Sequence, residues 1–148
     1  MQISDYMDPK LVAFLNVNSQ SEALTKLVEQ VFAAGKLEDK ESFLQAIIER
    51  EKIVSTGIGM GVAIPHAKLP HFDHFFIVIG ILQKPVDWNA LDQAPVRLIF
   101  MIGGPDDKQT EYLQILSNLT QSIKDEKKRK KIINLNNPKA IIELFKTI

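Results

Sequence analysis

The chain contains no cysteine. Disulfides, thiolate-held metals and cysteine nucleophiles are therefore excluded, and the composition suits a reducing compartment. An excess of one charge sign is also missing, since 18 Lys and Arg balance 18 Asp and Glu. Without a global field, neither nucleic acid nor an anionic membrane surface is favoured as a partner. No apolar run approaches the roughly 20 residues of a membrane span. Residues 1–10 carry Asp5 and Asp8 where a signal peptide has an apolar core. Repeats, low-complexity tracts and linkers are absent too. What remains is a cytoplasmic protein of a single domain, residues 1–148, with no segment for membrane insertion. Its composition, 45% hydrophobic and 24% charged, is that of a globular chain long enough to bury a real core.

Hydrophobic spacing then orders the chain. Residues 11–17 read as a short first strand. Ser19 with Glu22 forms a capping box, after which Leu24, Leu27, Val28, Val31 and Phe32 share one helical face that Gly35 ends. A second helix starts near Asp39, buries Phe43, Leu44, Ile47 and Ile48, and finishes at Glu49-Arg50-Glu51. Val62 and Ile64 alternate as a strand that Pro65 stops, so His66 sits where the chain leaves the sheet. Residues 69–73 are a loop. Two runs apolar on both faces, 75–82 and 96–102, read as central strands, with a turn-like stretch 85–94 between them. Gly103-Gly104-Pro105 closes the second run, and Asp106 with Gln109 caps the next helix, striped by Tyr112, Ile115, Leu116, Leu119 and Ile123. A basic helix follows around 125–135. Asn137-Pro138 opens the last, with Ile141, Leu144, Phe145 and Ile148 on its buried face. Trp88 and the Phe75-Phe76 pair read as core. This order predicts an α/β domain with helices covering a mostly central sheet.

Chemistry concentrates in residues 57–68. A dinucleotide fingerprint needs glycine where Val62 stands, and neither a Walker loop nor a Gly-x-Ser-x-Gly elbow is present. Glycine at 57, 59 and 61 supports two readings: a bulged turn without a ligand, or backbone N–H groups forming an anion-binding concavity. In the second, His66 is a nucleophile, because a neutral imidazole attacks phosphorus at physiological pH. Arg50 offers a planar set of donors to phosphate oxygens, and Lys68 a point charge or merely a solvated ammonium. No metal site is expected, since His66, His71 and His74 straddle Pro70 without the helical register of a zinc motif. His71 and His74 read as surface loop residues. The run Lys124, Lys127, Lys128, Arg129, Lys130 and Lys131 reads as a solvated face rather than a nucleic-acid surface.

Arg50-Glu51 followed by Ser55-Thr56-Gly57-Ile58-Gly59-x-Gly61-x-Ala63-Ile64-Pro65-His66 resembles the IIA domains of the phosphoenolpyruvate:sugar phosphotransferase system, of the fructose/mannitol and nitrogen-regulatory type. The resemblance continues through Val86-Asp87-Trp88-x-Ala90-Leu91-Asp92, Pro95-Val96 and Leu113-Gln114-x-Leu116. It implies a mixed β-sheet sandwiched between α-helices and a phosphocarrier that needs no cofactor. His66 would accept a phosphoryl group from an HPr-like carrier protein, and Arg50 would steady its oxygens. Gly57, Gly59 and Gly61 would cradle them, with Ser55, Thr56 and Lys68 as possible helpers. The group would leave to a IIB domain or mark the protein for a regulated target.

Three positions depart from the family pattern. Tyr112 occupies the place of a second histidine, Met60 that of an asparagine and Ala67 that of a glycine. A phenol donates one hydrogen bond but carries no positive charge. The chain has no room for a IIB or membrane domain, and its N-terminal segment resembles the nitrogen-regulatory branch. The function expected of it is therefore a regulatory relay, with a sugar-specific IIA serving uptake as the alternative. A regulatory module that takes no phosphate is a further alternative.

Overall fold

The computed structural model describes residues 1–146. Two short 3₁₀ turns, Ile3–Tyr6 and Pro9–Leu11, lead into strand β1, Val12–Leu15. Helices α1, Gln20–Ala33, and α2, Lys40–Ile53, follow, capped by the side chains of Ser19 and Asp39. Three short strands come next: β2, Gly57–Gly59, β3, Val62–Ala63, and β4, His66–Lys68. Strands β5, Phe76–Val86, and β6, Val96–Gly104, form the centre of the sheet. The chain ends in α3, Gln109–Ile123, α4, Glu126–Asn134, and α5, Pro138–Glu143.

The sheet is mixed, in the order β1-β5-β6-β3-β2, with β4 also beside β6. β1 lies parallel to β5, β5 antiparallel to β6, and both β3 and β4 parallel to β6. Because side chains alternate across a strand, β5 and β6 feed two separate cores. Val78, Leu82, Ile99 and Met101 pack with Leu24, Leu27, Phe43 and Ile47 of α1 and α2. Ile77, Ile79, Phe100 and Ile102 pack with Ile115, Leu119, Ile132 and Ile141 of α3, α4 and α5. Helices thus cover both faces, as the sequence predicts. Among the described residues no helix is long and apolar enough to cross a membrane.

Several local expectations are corrected. His66 does not lie where the chain leaves the sheet. Pro65 interrupts the strand, but its carbonyl accepts from the Ile102 amide at 2.9 Å, and His66 opens β4 opposite Ile102. Gly103 and Gly104 do not close β6 but form its last two residues. They are glycines because aromatic rings lie on them: a Cβ at 104 would meet Phe75 Cδ1 at 2.0 Å and one at 103 would meet Phe76 Cζ at 2.3 Å. The central strand runs on through Pro85 to Val86. The β5–β6 register is irregular between Ile81 and Val86, where Arg97 Nε donates to the Leu82 carbonyl at 2.7 Å. Lys108, not Asp106, is the N-cap of α3, and it makes no side-chain cap bond. Phe32 is exposed on α1, and Leu44, Ile48 and Leu144 are only half-buried. Ile148 lies outside the described residues.

Candidate active site

Helix α2 buries Phe43 and Ile47 at a spacing of four, and Arg50 three residues later continues that face toward the sheet. There its Nε donates to His66 Nε2 at 3.2 Å, while Nη1 donates to the Val54 carbonyl at 2.9 Å. The guanidinium is therefore anchored on one edge and bonded to the imidazole on the other. His66 Nδ1 lies 3.2 Å from the Ile64 carbonyl. A carbonyl accepts and a guanidinium donates, so the ring proton belongs on Nδ1 and the lone pair on Nε2. Burial is the main cause holding the His66 pKa below its ordinary 6.5. The Ile64 carbonyl opposes it, Arg50 and Lys68 push the same way as burial, and Glu51 opposes again. At neutral pH the site presents an unprotonated Nε2.

Ile64, His66 and Lys68 share one face of their stretch, toward α3, whereas Ala63 and Ala67 point into the core beneath α1 and α2. The Tyr112 ring of α3 lies 5.5 Å from the His66 ring, centroid to centroid. Tyr112 is buried, which raises its phenol pKa, with the Arg50 charge pulling it down to a lesser degree. Lys68 Nζ stands 4.3 Å above the Tyr112 ring and donates to Gln109 Oε1 at 2.5 Å. Arg50, His66, Lys68 and Tyr112 thus converge. Gln109 was expected as a helix cap and is found instead on Lys68, a pairing across 41 residues that no local spacing announces.

The remaining expected helpers lie elsewhere. Thr56 is buried; its N–H and hydroxyl donate to the Glu51 carboxylate at 2.7 and 2.5 Å, and its Oγ1 accepts from Trp88 Nε1 at 3.2 Å. Ser55 Oγ donates to the Trp88 carbonyl at 2.6 Å and accepts from the Gly57 amide at 3.1 Å. These groups latch the end of α2 to the 87–94 loop. Gly61 accepts from the amides of Arg97 and Leu98, whereas His66 pairs with Ile102. Four residues of strand separate those levels, about 13 Å. The Gly59–Gly61 turn is therefore too distant to cradle a group on His66.

Packing and dihedrals explain these glycines instead. Gly57 lies against Ala90, where a Cβ would come within 2.7 Å of another. Gly59 and Gly61 have φ of 99° and 74°. Met60, between them at φ 61°, donates its amide to Asp92 Oδ2 at 3.0 Å. Asparagine adopts that conformation more readily than methionine, so the departure at Met60 concerns the turn, not His66. His71 and His74 line a cleft of about 620 Å³ between residues 35–42 and 71–76, which does not include His66.

Residues 5–148 match the sequence profile of the family described as phosphoenolpyruvate-dependent sugar phosphotransferase system, EIIA 2. The chain belongs to that EIIA family. Among its relatives, this EIIA chain is 31% identical over 148 residues to a nitrogen regulatory protein of Bradyrhizobium diazoefficiens, covering 98% of the chain and 95% of the relative. It is 35% identical over 133 residues to the fructose-specific EIIABC component of Bacillus subtilis. That match takes in 88% of this chain but only 21% of the larger relative. The fold agrees with that of the nitrogen regulatory protein IIA-Ntr of Neisseria meningitidis, at TM-score 0.90, 23% identity and 97% and 99% coverage. It also agrees with the mannitol IIA of Escherichia coli, solved in complex with its phosphorylated IIB, at TM-score 0.75, 19% identity and 92% and 94% coverage.

Proposed function

We propose that His66 accepts a phosphoryl group on Nε2 from the phosphohistidine of an HPr-like carrier protein and serves a regulatory relay. The observation that carries this is the ring's bonding: Nδ1 is committed to the Ile64 carbonyl, and Nε2 faces only the Nε–H of Arg50. In the transfer, the Nε2 lone pair forms the new P–N bond. The bond from phosphorus to the donor nitrogen breaks, and its electron pair returns to the donor ring. The Nδ1 proton stays on His66, where the Ile64 carbonyl holds it. Arg50 Nε loses its acceptor as Nε2 becomes bonded to phosphorus, and the freed N–H turns to a phosphoryl oxygen. Its Nη1 anchor on Val54 keeps the charge in place meanwhile. This is catalysis by positioning and charge stabilisation, for which no nucleotide is needed.

Likeness to a nitrogen regulatory protein along nearly the whole of both chains supports the regulatory role. In that role the phosphoryl group is a charge near −2 that a target protein reads. The likeness to a fructose-specific component supports a second reading, in which a IIB domain takes the group onward for sugar uptake. The deciding experiment incubates the chain with a phosphorylated HPr-like carrier and measures intact mass and site under neutral, native conditions. One phosphoryl group on His66, absent in His66→Gln, is expected. An unlabelled His66 overturns the reading. A IIB domain that strips the label at a catalytic rate selects uptake, whereas a partner whose affinity follows the label selects regulation.

A further inference from the structure

Arg50 and Lys68 both stand beside a neutral imidazole, and among the described residues neither has a carboxylate partner. The ion pairs among the described residues are Lys52–Glu49, Lys130–Glu126 and Lys146–Glu143. Glu51, the acid adjacent to Arg50 in sequence, is engaged by Thr56. Two uncompensated cations flanking one imidazole repel each other and hinder its protonation, an arrangement that an arriving dianion relieves.

Lys68 is also held, which is unusual for a lysine whose stem is free to rotate. It shares a strand face with His66 two residues away, about 6.6 Å along the backbone. The face of Tyr112 supports its ammonium from one side at 4.3 Å, and Gln109 Oε1 accepts from it at 2.5 Å. Both holders are neutral, so they fix the position of the charge without cancelling it. An ammonium has three N–H donors, and among the described residues only Gln109 accepts a hydrogen bond from that of Lys68.

We propose that Lys68, seated on Tyr112 and Gln109, is the second cation of the site and binds the oxygens of a phosphoryl group on His66 opposite Arg50. The proposal rests on the phosphoacceptor reading of His66. It assigns the buried tyrosine a purpose: Tyr112 supplies no charge of its own but provides the aromatic face that positions one.

The test is an equilibrium one. The full chain and its variants are mixed with phosphorylated HPr-like carrier until the ratio of phosphorylated chain to phosphorylated carrier is constant. Lys68→Gln keeps a polar group for Gln109 but removes the charge, and is expected to shift that ratio about tenfold toward the carrier, the loss of one charge-assisted bond. Lys68→Arg should restore most of it. Tyr112→Phe, which keeps the ring, should shift the ratio less than Tyr112→Leu, which should move in the direction of Lys68→Gln. A docking role for Lys68 alters the rate of transfer and cannot alter the equilibrium ratio. A slower approach to an unchanged ratio therefore overturns the proposal, as does a shift in Tyr112→Phe without one in Lys68→Gln. In either case wild-type labelling at His66 leaves the phosphoacceptor reading standing; if wild type takes no label, that reading falls first.

Discussion

The stretch 57–68 is continuous in sequence, yet its two ends differ in what their polar groups do. At the glycine end several donors are already engaged. The Met60 amide is on Asp92, the Gly57 amide on Ser55, and the Thr56 hydroxyl bridges Glu51 and Trp88. At the histidine end, cations have neutral partners and Nε2 of the imidazole meets only a displaceable N–H. Hydrogen-bonding capacity closed within the chain fixes a backbone. Capacity left facing outward can meet a ligand. The comparison teaches that the first half of the motif closes on itself as the scaffold that holds the second half in place.

The sharpest way to break this contrast is at Arg50. Arg50→Gln removes the donor charge from the histidine end, and the rate of His66 phosphorylation should fall about 10²–10³-fold. Stability should fall by only about 1–2 kcal/mol, since the bonds lost are the exposed one to the Val54 carbonyl and the part-buried one to His66 Nε2. Stopped transfer assays beside urea unfolding distinguish the two effects. Thr56→Val should give the opposite pattern. It leaves the Glu51 carboxylate short of one partner and removes the Trp88 indole's bond to Thr56, at a cost of about 2–3 kcal/mol, read from a lower urea midpoint. Transfer should stay within about threefold, because the Thr56 amide still bonds Glu51. A loss of transfer as deep as that of Arg50→Gln would show that the latch and the acceptor are not separate.

How far these halves could be told apart in sequence depended on how local their causes are. Helices α1 and α2 were legible because their caps and apolar stripes are local. His66 stood out because proline precedes it on a strand, and Arg50 because it ends the helix just ahead of the glycine segment; the structure brings the two side chains together. The glycines misled because a positive φ, a close approach to Ala90 and an anion-binding turn all select the same residue. Gly103 and Gly104 misled for a related reason. Glycine reads as a strand breaker, while here Phe76 of the neighbouring strand and Phe75 just before it leave no space for a Cβ. Strand β4 was missed since three residues after a proline acquire their extended form from β6, more than thirty residues later. The seat of Lys68 depends on α3 packing on the far side of the sheet, which no window of the sequence contains.

A pH series sharpens the comparison from the histidine end. Protonation of Nε2 blocks attack, and the imidazole is held below 6.5, mainly by burial. The acid limb of phosphoryl acceptance should therefore lie below pH 6.5. The groups facing the ring are Arg50 and Glu51 of α2, Lys68 of β4 and Tyr112 of α3. In Lys68→Gln the limb should move up only part of the way, since burial remains. Stability carries the same sign. Below 6.5 the unfolded chain binds the proton that the folded ring resists, so this contribution is complete above 6.5 and lost as pH falls toward the folded value. His66→Gln should flatten the loss of stability in that window. An acid limb at or above 6.5 would mean that the ring is more open to water than its packing shows.

The smallest effect belongs to the glycine end, and it bears on the contrast most directly. Met60 holds φ 61° with its side chain exposed, and its sulfur accepts from the Arg129 guanidinium at 3.6 Å. A left-handed conformation costs an ordinary side chain about 1–2 kcal/mol, and asparagine recovers part of it through local hydrogen bonding. Met60→Asn should accordingly raise stability by about 0.5–1 kcal/mol, read as a higher urea midpoint at unchanged slope. Because the turn sits about four strand residues from His66, the rate and equilibrium of phosphoryl transfer should not change. A variant that gains no stability but transfers faster would reverse the assignment, since position 60 would then act on the phosphoryl group rather than on the turn.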